Sequence, residues 1–217
     1  MALSKVDYNS LNVTATASKA LKWNSGADGF ETGDVAGALV LLETITADGS
    51  GTTITFDSNI DSTYKEYQIH FTDVHPATND VDFSVNFRDG STAYDATKTS
   101  TYFSGYHEED DSPAQLSYET AVDLAQATGV QPLTKGGLGN GNDECLAGIL
   151  HLYDPSSTTF VTHFISQTNN YYYSDYFMSW FVTGYCNVTA AIDGVQFTFS
   201  SGNIDAGTFK LYGIKDS

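Results

Sequence analysis

The side chains of this chain that are equipped for catalysis or metal binding are its histidines and one dense run of acids. His70, His75, His107, His151 and His163 would be the natural metal ligands or general bases, yet none stands in the H-x-H or H-E-x-x-H spacing that turns two imidazoles toward one ion. His70, His151 and His163 fall within strand-like runs, where a hydrogen-bonded or half-buried ring is the common outcome. The run "HEEDDS" (107–112) sets four carboxylates beside a histidine and would suit Ca²⁺ if the loop converged their oxygens. The EF-hand spacing and its central glycine are absent, so a solvated acidic loop is expected and calcium is left open. No G-x-S-x-G elbow occurs, and "KGGLGNGNDE" (135–144) lacks the phosphate-loop spacing and a following helix, so it reads as a flexible hairpin loop. Glycoside hydrolysis needs two carboxylates facing each other across a cleft, and nothing in the sequence singles out a pair. The expectation is a protein without catalytic residues, metal or cofactor.

Recognition chemistry is better represented. "TNNYYYSDYFMSW" (168–180) contains Tyr171, Tyr172, Tyr173, Asp175 and Tyr176. Consecutive tyrosines cannot all point to one side of a strand, so at least one should be exposed. Rings that stack and hydroxyls that hydrogen-bond suit a sugar or a protein partner, and the same rings could instead pack against a neighbouring subunit or in the core. A second aromatic feature lies in "KWNSGADGFETGD", where Trp23 and Phe30 sit in a turn-rich context with too few apolar neighbours to bury them. They need a surface supplied by the main domain or by another chain, such as a groove of a neighbouring subunit.

The elements that must carry these groups are strands. "VDFSVNFR" (81–88) alternates Val81, Phe83, Val85 and Phe87 inward against Asp82, Ser84, Asn86 and Arg88 outward. Runs at 38–47, 51–57, 66–74, 101–107, 145–153, 159–166, 176–188 and 194–200 behave similarly. "SSGNIDAGTFKLYGI" (200–214) adds a last strand that completes the sheet system, giving about ten strands in all. One stretch, "SPAQLSYETAVDLAQAT" (112–128), reads as a short helix or a long polar loop, with Leu116, Val122 and Leu124 unevenly spaced. The fold class expected is all-β: an antiparallel, jelly-roll-like β-sandwich over 37–217, preceded by an extended N-terminal attachment arm over 1–36.

Composition bounds the partners. At 217 residues the chain can bury a substantial core without a staple. Its 9 Lys+Arg against 27 Asp+Glu give a formal charge of −18, which disfavours nucleic acid. Cys145 and Cys186 are too few for a disulfide framework and are expected as reduced core side chains. No basic-then-apolar leader and no run of about 20 apolar residues occurs, so synthesis in a cytosol without membrane insertion is expected. The sequons at Asn12 and Asn187 are then coincidental.

Several phrases together carry a resemblance: "KALKWNSGADGFE", "DSTYKEYQIHFTDVHPATNDVDFSVNF", "YDATKTSTYFSGYHEEDDS", "LHLYDPSSTTFVTHFIS" and "SGNIDAGTFKLYGI". Over Lys19 to Ile214 the chain resembles virion structural proteins, tail-fibre-like or head-decorating, of marine and freshwater tailed bacteriophages. The resemblance implies a surface appendage assembled in the host cytoplasm, attached by its arm to other virion proteins of capsid or tail, and built as a homotrimer. Contact with a host-surface glycan or protein would be a further role. It carries over no catalytic residue and leaves tail and capsid placement both open. A purely stabilising capsid decoration and a free carbohydrate-binding module are the alternatives.

Overall fold

The computed structural model describes residues 19–34, 38–112 and 114–215, and every regular element among them is a β-strand. The chain divides into two units, Met1–Ala38 and Leu39–Ser217.

In the first unit β1 (Lys19–Trp23) pairs antiparallel with β2 (Phe30–Asp34), from Lys19 opposite Asp34 to Trp23 opposite Phe30. The turn between them is held by Asn24. Its backbone N–H donates to Gly29 O at 3.0 Å and its amide to Asp28 Oδ1 at 2.9 Å, while Asp28 N–H donates back to Asn24 Oδ1. This part of the expected arm is therefore a hairpin. Residues 1–18 and 35–36 of that arm lie outside the described residues.

Among the described residues the second unit holds twelve strands in two sheets. They are β3 (Leu39–Thr46), β4 (Thr53–Phe56), β5 (Glu66–Pro76), β6 (Phe83–Arg88), β7 (Lys98–Glu108), β8 (Gln115–Tyr118), β9 (Gln131–Pro132), β10 (Leu146–Tyr153), β11 (Thr162–Tyr172), β12 (Tyr176–Cys186), β13 (Gly194–Phe199) and β14 (Ile204–Ile214). The large sheet has the order β3-β14-β5-β10-β11-β12-β7-β8 and the small one β4-β13-β6-β9. All pairings are antiparallel. From β3 to β6 the chain changes sheet at every step, and at the end β13 inserts between β4 and β6 while β14 inserts between β3 and β5. That shuttling gives the sandwich its jelly-roll-like weave. The last strand is thus an interior strand, paired on both sides, and not an edge.

Alternation explains the core. Phe83, Val85 and Phe87 of β6 and Val195, Phe197 and Phe199 of β13 are buried against Ile69 and Phe71 of β5 and Phe209 and Leu211 of β14. Phe83 and Phe197 stack at 5.4 Å, and Phe71 meets them at 5.3 and 5.6 Å. The opposite side of β6 departs from the simple pattern, because Ser84 and Asn86 are buried too. Lys98 Nζ donates to Asn86 Oδ1 at 2.6 Å and to Ala96 O at 2.8 Å, so this lysine is fully enclosed. Burial lowers its pKa to about 8.

The segment 119–144 differs most from expectation. No helix forms in 112–128 among the described residues; Gln115–Tyr118 is the edge strand β8, and the following chain runs irregularly along β7. The edge of β7 offers free backbone groups, and the segment takes them: Glu119 N–H donates to Tyr102 O, Ser100 N–H to Leu124 O, and Lys98 and Ala127 form a bridge. Uneven spacing of Leu116, Val122 and Leu124 gives a helix no apolar stripe, so edge pairing wins. The glycine-rich run that follows is likewise no free hairpin loop. Leu138 is fully buried and bridges Val81 and Tyr172. Cys186 is buried, Cys145 half-buried, and both are free thiols.

Candidate functional site

The tyrosine run is where side chains suited to recognition converge. β11 and β12 form a hairpin whose last pair is Tyr172 opposite Tyr176, leaving the three-residue loop Tyr173-Ser174-Asp175 with Asp175 at φ 65°. A left-handed third residue is the geometry such loops favour. Alternation sends Tyr171 to one face, where its hydroxyl donates to Asp175 Oδ1 at 2.8 Å; that bond pushes the phenol up to about 12. Tyr172 goes to the other face and Tyr173 stands 41% exposed at the turn. The expected exposure of at least one ring is met there.

On the sandwich side of the large sheet the rings form a ladder. Tyr172 stacks on Tyr173 at 4.8 Å and on Tyr176 at 5.3 Å, and Tyr176 stacks on Tyr106 of β7 at 5.8 Å. Burial, with its neighbouring hydroxyl, pushes Tyr172 up to about 12, and the Glu108 carboxylate raises Tyr176, so both stay neutral phenols. Tyr172, Tyr176 and Tyr106 of this ladder line a 320 Å³ cleft together with Trp180 and Met178. Trp180 is held by a 2.6 Å hydrogen bond from its Nε1 to Asn170 Oδ1.

Facing the rings is a polar wall from the segment 119–144. Lys135 Nζ donates to Glu119 Oε2 at 2.6 Å and Ser104 Oγ to Glu119 Oε1 at 2.9 Å, with Ser117 alongside. The lysine bond holds the Glu119 carboxyl below its ordinary value, so it serves as a hydrogen-bond acceptor and not as a proton donor. Apolar rings opposite a fixed donor–acceptor pair can hold a flat, hydroxylated ligand such as a sugar ring: carbon–hydrogen faces on tyrosine, hydroxyls on Glu119, Lys135 and the serines.

A glycine makes this arrangement. Gly137 has φ +73°, its N–H donates to Asp80 Oδ1 at 2.9 Å, and a Cβ placed there would lie 1.6 Å from Tyr172 Cε2. The loop thus lies directly against the ring that begins the ladder, and Tyr173 N–H donates to Gly137 O.

Of the sequence-predicted residues, Tyr172 and Tyr176 line the cleft, Tyr173 stacks on Tyr172 outside the lining, and Tyr171 and Asp175 pair on the outer side. Trp23 and Phe30 close the hairpin of the other unit, stacked on each other at 4.3 Å and 61% and 38% exposed. Sequence reasoning missed Tyr106, Glu119, Lys135 and Trp180. Tyr106 and Trp180 had a signal, since each falls on the inward parity of its strand. Glu119 and Lys135 had none, because irregular chain delivers them.

The acidic loop beside the cleft is satisfied locally. Ser112 Oγ donates to Glu108, Ser112 N–H to Asp110 Oδ1 at 2.9 Å, and His107 lies 3.4 Å from Asp111. Among the described residues no group of three or more His, Cys, Asp or Glu is arranged to hold a metal ion. Among the strand histidines, His151 is bonded to Glu66 at 2.8 Å and His70 to Gln68 at 3.0 Å. Comparison with protein-family models, with curated proteins and with solved structures finds no match for this chain, so its function is read from its residues and their geometry.

Proposed function

We propose that this protein is a non-catalytic surface appendage of a tailed-phage virion, attached through its N-terminal unit and displaying the sandwich, with the tyrosine cleft as contact for a host-surface glycan. The observation that carries the reading is the stacked Trp23–Phe30 pair, left exposed at the tip of a unit separate from the sandwich. Large exposed aromatic rings are suited to insertion into another protein's pocket. Deleting residues 1–36, or replacing both rings by alanine, is expected to leave a folded sandwich that no longer enters particles. Unimpaired incorporation would reject the attachment role.

The cleft supports the contact role and also suits a free carbohydrate-binding module. Glycan-array binding that is lost in Tyr176→Ala, measured beside particle incorporation, separates the two: a module binds glycan and stays out of particles. A stabilising capsid decoration predicts instead that particles lacking the protein infect normally and break at lower temperature.

A further inference from the structure

The face of the large sheet turned away from the core carries no second layer among the described residues of its unit. Strand register sorts its outward side chains into rows, one of which runs Phe103, Phe181, Gln167, Ile149, His70 and Lys210. Exposed large apolar side chains concentrate on it: Leu39, Leu41, Phe103, Leu116, Tyr118, Ile165 and Phe177 all face this way, whereas in the same unit only Val130, Phe160 and Tyr173 are described elsewhere. Soluble proteins do not leave so broad an apolar field uncovered without use.

Its relief is that of a contact surface. Phe103 and Phe181 stack at 5.3 Å with 11° between planes and form a ridge. On one side lies a groove of 480 Å³ between Thr101, Ile165, His163 and Tyr185; on the other, one of 460 Å³ between Gly105, Leu116, Phe177 and Ser179. A ridge with grooves beside it can receive the same relief from a second molecule.

Charge says which second molecule. The chain carries −18, so two copies repel wherever their carboxylates meet. Along the paired outward positions from β3 to β8 the titratable side chains of Asp, Glu, Lys and His type are Lys210, Glu66, His70, His75, His107, His151 and His163. Glu66 is the carboxylate among them and is already bonded to His151, while Asp205, Asp111 and Asp175 stand at the margins of the face, against His75, His107 and Tyr171. A basic partner would choose the acidic remainder of the surface, and an anionic membrane would need a cluster of cations where this face has one lysine. We propose that this face is the contact between copies of this chain. Eight strands about 4.8 Å apart and four rows of side chains about 6.8 Å apart make a field on the order of 800 Å², which is the area per partner of a stable protein contact.

The test is the mass of the full chain in solution at tens of micromolar, by light scattering and sedimentation. The wild type is expected at the mass of a dimer or trimer, and Ile165→Glu and Phe103→Glu, each placing a carboxylate in the contact, are expected to be monomers with unchanged far-UV circular dichroism. Self-association should weaken by about 100-fold or more. Thr101→Glu, at an exposed threonine lining the same groove, replaces either bulkier variant that fails to fold. Tyr176→Ser, on the opposite side of the sheet, should keep the wild-type mass. A monomeric wild type, or glutamate variants that retain the wild-type mass, overturns the proposal and leaves the particle-attachment reading to its own deletion test.

Discussion

Replacing Gly137 by alanine probes the cleft and the fold together, and Gly136 beside it supplies the control. Both glycines have left-handed backbones, φ +73° and +62°, and both donate their N–H to a carboxylate, Gly137 to Asp80 and Gly136 to Asp82. Neither can relax its backbone without losing that bond. An alanine in this conformation costs about 1–2 kcal/mol from Cβ crowding alone. At Gly136 nothing adds to that, since the nearest atom to a new Cβ is Asp80 Oδ1 at 3.8 Å. At Gly137 the new Cβ would lie inside the Tyr172 ring, and forced overpacking adds about 1–3 kcal/mol. Gly137→Ala should therefore lose about 2–5 kcal/mol and Gly136→Ala about 1–2. Urea unfolding followed by far-UV circular dichroism measures both, and near-UV circular dichroism should change only in Gly137→Ala as the tyrosine ladder shifts. Equal losses in the two variants would refute the claim that the loop presses on Tyr172.

Other expectations follow from buried polar groups. The Tyr102 hydroxyl is buried with no hydrogen-bond partner, so Tyr102→Phe should stabilise by about 1–2 kcal/mol in thermal or urea unfolding, and a loss would show that the hydroxyl is bonded. Lys98 titrates at about 8 when folded, below the ordinary 10.5, so above pH 8 the folded state releases a proton that the unfolded state keeps. Stability should then rise between pH 8 and 9 by up to about 1 kcal/mol, and Lys98→Met should flatten that rise. Above pH 9 the buried Cys186 thiol, pushed up to about 12, acts in the opposite sense, because the unfolded thiol ionises first. Leu138→Ala should cost about 2–5 kcal/mol by opening a cavity under the glycine-rich segment, and a near-neutral result would mean that the segment is not packed.

Much of the sandwich was legible because period-two alternation is a local signal. Phe83, Val85 and Phe87 declared their side of the sheet, as did Phe209 and Leu211, and the structure buries all five. What alternation cannot carry is which strands become neighbours. Nothing in 200–214 distinguishes an edge from the interior place that β14 takes. In the 112–128 stretch the helix alternative failed and the loop alternative held from Glu119 on, since its place is set by the edge of β7 and not by its own periodicity. In the cleft, the tyrosines were visible as a run, but Glu119 and Lys135 meet only because that irregular chain folds back over β7. Asn86 and Ser84 looked solvent-facing because a strand reports its alternation and not what will be laid over its second side.

The position of β14 has a consequence for how the molecule is made. Among the described residues of the large sheet β3 has β14 as its one neighbour, although the two stand far apart in the sequence. During translation β3 must wait for this partner until β14 has left the ribosome, and closing so long a loop is slow. A ribosome that stops short would release a product with β3 and β5 both raw along one side, ready to stick or be degraded. Emergence of β14 thereby becomes the trigger for closing that side of the sheet.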